Sequence, residues 1–203
     1  MSFKLNHDGL DRLKELFNIG AGNAANTLSG MIGERVMISV PEVHIFKLNE
    51  CASIFGEIER QMVGIYHDVS GWLKGRMLLL LSVNSSDRLA QLLHFVCLKG
   101  GYKENERNNT LKEFSNILVG SYLNTLAEMG NNKSPVIHSV PLLAEDMIGS
   151  LLDGVLAKIM EKEDSIIILK TVLSGKSGIF EVFFLFLPDA ASMQVLASGI
   201  QGS

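Results

Sequence analysis

The sequence predicts an α+β fold: an internally duplicated helix–strand–hairpin–helix unit whose mostly antiparallel sheet packs against long helices with pseudo-twofold symmetry. Three observations predict it. The chain echoes itself at an offset of 98 residues. Each copy opens on a long amphipathic stretch. Each copy then carries two strand-like runs joined by a tight Ser-Gly turn.

The echo is the strongest of the three. Slid by 98 positions, Asp11–Met31 falls on Asn109–Met129, and ten of the 21 positions are identical, among them Glu15/Glu113, Asn18/Asn116 and Gly22/Gly120. Ordinary residue frequencies would give about one or two matches. Ser39-Val40-Pro41 returns as Ser139-Val140-Pro141, and the run from Gly75 to Asp87 returns more loosely from Gly178 to Asp189. One domain built of two halves follows, near 1–100 and 105–203, joined at Lys99–Asn105 by a Gly pair followed by charge. The mixed-sign stretch Lys103–Arg107 reads as a solvated linker.

The elements follow in order. Apolar residues at helical spacing predict helices over 8–32 and 108–130, with Asp8 and Asn108 or Asn109 as N-caps. A strand ending in Val-Pro comes next in each half, since Pro41 and Pro141 suit a strand edge or end. The second half then offers a helix over Leu143–Met160, where the first half has only a short turn near Cys51–Phe55. Hairpins are predicted at 57–69 with 73–83 and at 164–173 with 178–187, turning through Ser70-Gly71 and Ser174-Gly175. A closing helix starts at Ser85-Ser86-Asp87 in one half and at Pro188-Asp189 in the other.

Composition narrows the function. The chain is 47% apolar and 20% charged, ordinary for a folded protein, with a net charge of −4. No Lys/Arg cluster of the kind that tracks nucleic-acid phosphates occurs. Two cysteines, Cys51 and Cys97, are too few for a disulfide framework and are expected to be buried thiols. The polar start Met1–Asp8 predicts no secretory leader, and no apolar run approaches the ~20 residues of a membrane span, so a cytoplasmic location without membrane insertion is expected. The five histidines, His7, His44, His67, His94 and His138, are scattered and form no metal-ligand pair by spacing. No phosphate-cradling loop or nucleophile elbow is present.

The candidate chemistry lies on the first helix of each half. Leu10, Leu13, Phe17, Ala24 and Leu28 share one face, which burial explains. Asp11, Glu15, Asn18 and Gly22 form a separate polar stripe, matched in the second copy by Asn109, Glu113, Asn116 and Gly120. Glu offers a charge. Asn, one turn on, offers a carboxamide able to accept from and donate to a water. A mid-helix Gly costs about 1 kcal/mol against Ala, so its presence in both copies suggests a close approach to that backbone. From the residues alone two readings stand: a merely solvated face, or a site kept twice.

The segment from Asp11 through Glu15 to Asn18, followed by Pro41, resembles the signature of the CheC/CheX/FliY phosphatases. That signature is an acidic or Ser residue, Glu four on, Asn three further, and Pro 23 beyond the Asn; the first copy fits it throughout. The second copy fits at Glu113 and Asn116 but has Asn109 at the acidic position, and Pro141 lies 25 beyond the Asn. Two motifs in about 200 residues, with nothing left over for a flagellar-switch domain, resemble the CheC type. The resemblance implies a phosphatase acting on the aspartyl phosphate of a CheY-like response regulator in chemotaxis signalling. Asn18 and Asn116 would position the water; Glu15 and Glu113 would pair with the regulator's active-site lysine. It implies no cofactor of the chain's own, with Mg2+ carried by the regulator. The resemblance also implies an alternative, binding and regulation of the receptor deamidase CheD, and a plain scaffold is a third reading. Because duplication mimics a dimer, a monomer is expected.

Overall fold

A computed structural model of the chain describes residues 7–47, 50, 54–97, 104–129, 135–156, 165–175 and 178–201. The first half runs through helix α1 (His7–Ile32), strands β1 (Met37–Lys47), β2 (Gln61–Ser70) and β3 (Gly75–Ser82), and helix α2 (Val83–Cys97). The second runs through α3 (Glu104–Met129), β4 (Ile137–His138), β5 (Leu142–Met147), α4 (Ile148–Leu156), β6 (Ser165–Gly175), β7 (Gly178–Pro188) and α5 (Ala190–Gln201). The predicted α+β class with an antiparallel sheet is what the structure has.

The strands form one seven-stranded sheet in the order β1-β6-β7-β3-β2-β4, with β5 also on β2. Every pairing is antiparallel. The two hairpins, β2–β3 and β6–β7, meet at the centre through β3 and β7. The leading strand of each half crosses over to flank the other half's hairpin: β1 pairs with β6, while β4 and β5 pair with β2. Read from either end, the order is the same once the halves are exchanged.

Helices cover both faces, so the central strands are apolar on both sides: six consecutive residues of β3, Arg76–Leu81, are buried. On one face α1, α2, α3 and α5 bury Leu13, Phe17, Leu89, Leu118, Tyr122 and Met193 against Val63, Leu79, Leu169 and Phe184. On the other face α4 buries Ile148, Leu151, Leu152 and Val155 against Met62, Leu78, Ile168 and Leu185.

Several boundaries differ from the sequence expectation. Strand β1 does not end at Pro41 but runs through it to Lys47, its register shifting between Ser39 and Glu42. An edge strand with a bulge tolerates the missing N–H. Leu143–Met147, expected in a helix, is strand, because its backbone is claimed by the open edge of β2; the helix begins only at Ile148, and 157–160 lie outside the described residues. Helix α3 begins at Glu104, so Asn108 and Asn109 sit inside it and cap nothing. The charged segment before them is no solvated linker at Arg107, whose side chain is 12% exposed. Arg107 reaches Asp87 at 2.5 Å, Glu145 at 3.2 Å and Ser86 Oγ at 2.8 Å. Asp8 lies in the first turn of α1 rather than at its cap.

The closing helices do not start where predicted: α2 begins earlier, at Val83 rather than Ser85, and α5 begins later, at Ala190 rather than Pro188. Ser82 Oγ accepts the Ser85 N–H at 3.1 Å, and Asp189 Oδ1 accepts the Ser192 N–H at 2.8 Å. Pro188 is therefore the last residue of β7, not the first turn of α5. Ser70-Gly71 turns as expected: Gly71 has φ +117, and a Cβ there would collide with the Pro135 carbonyl. Cys51, the expected turn around it up to residue 53, and the side chain of Cys97 lie outside the described residues.

Candidate functional site

The two long helices α1 and α3 lie side by side on the sheet. Phe17 packs edge-on against Tyr122, with ring centroids 5.3 Å apart, and Tyr122 in turn against Phe184 at 4.8 Å. Gly20 allows this approach: a Cβ there would stand 2.9 Å from Tyr122 Cδ1 and 3.1 Å from the Ser121 carbonyl. The tight contact expected at Gly22 is thus made two residues earlier. Leu13, Phe17, Ala24 and Leu28 are buried as expected, and Leu10 is half-buried.

The polar stripe of α1 faces away from the sheet. Asp11 is exposed and accepts from His7 Nδ1 at 2.9 Å. Glu15 is exposed, and among the described residues its carboxylate has no partner. Asn18 is half-buried and makes three hydrogen bonds. Its Nδ2 donates to the Lys14 carbonyl at 3.0 Å and the Val40 carbonyl at 3.2 Å, while its Oδ1 accepts the Val40 N–H at 2.8 Å. The carboxamide acts as a short strand partner for Val40 and ties Pro41 beside the helix. Beside Gly22 no atom of the described residues, outside the helix's own backbone and the two chain neighbours, comes within 4 Å of where a Cβ would stand.

The stripe of α3 repeats this placement with different surroundings. Asn109 and Glu113 are exposed, and Asn116 and Gly120 are half-buried. Among the described residues neither Glu113 nor the Asn116 carboxamide has a hydrogen-bond partner. The strand that should lie beside Asn116 is held by other means. The Ser139 N–H donates to the Asp68 carbonyl at 2.8 Å, and the Asp68 N–H donates to Ser139 Oγ at 3.0 Å. Consequently the two Ser-Val-Pro echoes are turned differently: Val40 is 1% exposed, Val140 is 88% exposed.

Two histidines missed by the sequence reading stand beside this second stripe. His67, fully buried on β2, lies 3.0 Å by Nε2 from Ser115 Oγ and 3.3 Å by Nδ1 from the Ser139 carbonyl. Burial, the neighbouring His138 and weaker opposing contributions leave its pKa lowered to about 4, so the ring is neutral at neutral pH. His138 packs edge-on against it at 5.1 Å between centroids. They are 71 residues apart, and no spacing rule links them. The described residues contain no group of three or more His, Cys, Asp or Glu side chains that could hold a metal ion. No helix among them is long and apolar enough to cross a membrane.

Residues 9–45, which span the first stripe and Pro41, match the model of the CheC-like family. The chain is 25% identical over 198 residues to the CheY-P phosphatase CheC of Bacillus subtilis (strain 168), covering 95% of this chain and 93% of that protein. In fold it is similar to Thermotoga maritima FliY, with a TM-score of 0.77 at 17% identity over 98% of this chain and 99% of that one. It is also similar to the FliM middle domain from H. pylori, with a TM-score of 0.66 at 9% identity over 95% and 99% of the two chains. The family and curated-protein matches bear out the CheC-type resemblance read from the helix motifs; the structural likenesses speak to fold alone.

Proposed function

We propose that this chain is a phosphatase that hydrolyses the aspartyl phosphate of a CheY-like response regulator in chemotaxis signalling, at two sites, Glu15/Asn18 and Glu113/Asn116. One observation carries the reading. In both halves an exposed carboxylate, without a partner among the described residues, stands one turn before a half-buried asparagine on a long helix, with open space beside Gly22 in the first half and the His138 ring beside Gly120 in the second. The similarity to a protein named CheY-P phosphatase supports it.

An acyl phosphate is already activated, so the enzyme needs no nucleophile of its own; it needs a water held in line and charges fixed in place. Glu15 and Glu113 are free to pair with the regulator's active-site lysine and set the helix against it. Asn18 and Asn116 are the water-positioning groups. They are not equivalent. Both Nδ2 hydrogens of Asn18 are committed to carbonyls, so Asn18 serves a water only as an acceptor through its remaining Oδ1 lone pair. Asn116 keeps both functions available. Mg2+ is assigned to the regulator and no cofactor to this chain.

The test is the decay of a phosphorylated CheY-like regulator with Asn18→Ala, Asn116→Ala and the double variant. Each single variant loses part of the activity, and the double variant falls to the regulator's own rate. Full activity in the double variant, with the fold intact by circular dichroism, overturns the reading and leaves protein binding as the use of these faces.

A further inference from the structure

Taking the phosphatase reading as its premise, we propose that His138 is a further catalytic residue of the second site alone, its Nε2 accepting a hydrogen bond and then the proton from the water that Asn116 positions. Three observations place it there. His138 is half-buried on β4, and its Nδ1 lies 3.1 Å from the Ser139 carbonyl. A carbonyl only accepts, so Nδ1 carries the hydrogen and Nε2 of the neutral ring keeps its lone pair. Among the described residues, and apart from the helix's own backbone and the two chain neighbours, that Nε2 is the one heavy atom within 4 Å of where a Gly120 Cβ would stand, at 3.7 Å. Gly120 and Asn116 lie one turn apart on one stripe of α3, so the ring stands beside the stripe that carries the carboxamide.

The ring is held in that pose. His67 packs edge-on against it and reaches the same Ser139 carbonyl, while its other nitrogen meets Ser115, the residue before Asn116. Among the described residues His67 from β2 packs against His138; Asp68, next along β2, has its carboxylate engaged by Arg76 at 2.6 Å, and Glu113 lies two turns before Gly120 on the same stripe of α3. Buried and neutral, His67 adds no fixed charge at neutral pH. The first site has no counterpart. The Ser-Val-Pro echo places Ile38, a buried hydrocarbon, where the second half has His138.

The step balances without a co-reactant. The water oxygen bonds to phosphorus as the bond from phosphorus to the aspartyl oxygen breaks, and that electron pair leaves with the carboxylate. The water's proton passes to Nε2, and the imidazolium returns it to solvent. Protonation beforehand converts Nε2 from acceptor to donor and disables it.

Each single asparagine variant isolates one site. Decay of a regulator phosphorylated with acetyl phosphate, followed from about pH 5.5 to 8, should fall on acidification for Asn18→Ala, where the second site works. It should not fall in this way for Asn116→Ala, where the first site works; the regulator's own titration is common to both. Adding His138→Phe to Asn18→Ala should cost on the order of a hundredfold or more, while His138→Gln, which accepts but does not titrate, should keep more of the rate with a flat profile. His138→Phe added to Asn116→Ala should leave the first site's rate unchanged, which shows the fold intact. Matching pH profiles for the two sites, or an undiminished rate with His138→Phe or a sloping profile with His138→Gln, would overturn the role of His138. Full activity in the double asparagine variant would instead overturn the premise.

Discussion

Asn18 and Asn116 occupy matching places on α1 and α3 but meet different neighbours. The Asn18 carboxamide is spent on Lys14 and Val40; the Asn116 carboxamide has no partner among the described residues. The second site is therefore expected to carry the larger share of turnover, so Asn116→Ala should lower the regulator's decay rate more than Asn18→Ala does. Side-by-side single-turnover traces of the two variants check this. A second residue-scale outcome concerns His67. Its folded pKa of about 4 lies below the ordinary 6.5, so between these values the unfolded chain binds more protons, and stability falls as pH drops through that window. The loss should be on the order of 1–3 kcal/mol. Urea melts at pH 7 and pH 4.5 should show it, and His67→Asn should flatten the difference. The two Glu-Asn pairs were legible in the sequence because each is written twice at one spacing. The histidine pair was not, because β2 and β4 meet only when the halves exchange strands.

At the scale of elements, the glycines of α1 divide by what lies beside them. Gly20 is a packing residue: its missing Cβ admits Tyr122 and the Ser121 backbone. Gly20→Leu should cost about 1–3 kcal/mol by overpacking α1 against α3, read from the urea midpoint. Gly22 has open space where its Cβ would stand. Gly22→Ala should raise stability by up to about 1 kcal/mol through helix propensity. The same substitution should slow regulator dephosphorylation at the first site if a partner's surface fills that space; a melt and a decay trace on one preparation separate the two effects. Helices and hairpins were legible because their periodicity is strong: α1 and all four hairpin strands fall within a few residues of expectation. The strand β5 was not, since Leu142–Met147 carries no alternation that would override its helical spacing, and only the open edge of β2 decides it. The start of α3 was missed for a similar reason. Mixed charge looks solvated until Arg107 finds Asp87 and Glu145 across the fold.

At the scale of the whole molecule, neither half completes its own sheet. β1 has its hydrogen-bonded neighbour in β6, and β2 has its outer neighbours in β4 and β5. Residues 1–100 or 105–203 produced separately should therefore lack a cooperative unfolding transition, and mixing or co-expressing the two should restore one. Circular dichroism on each fragment and on the mixture decides between interlocked halves and independent ones. The crossing also has a consequence during synthesis. Ser165, where β6 begins, follows Lys47, where β1 ends, by 118 residues. At roughly 5–20 residues per second, the ribosome needs on the order of ten seconds to deliver the strand that β1 awaits. Through that interval the nascent chain carries a bare strand edge and an uncovered apolar hairpin, a state in which a cell's chaperones have something to hold.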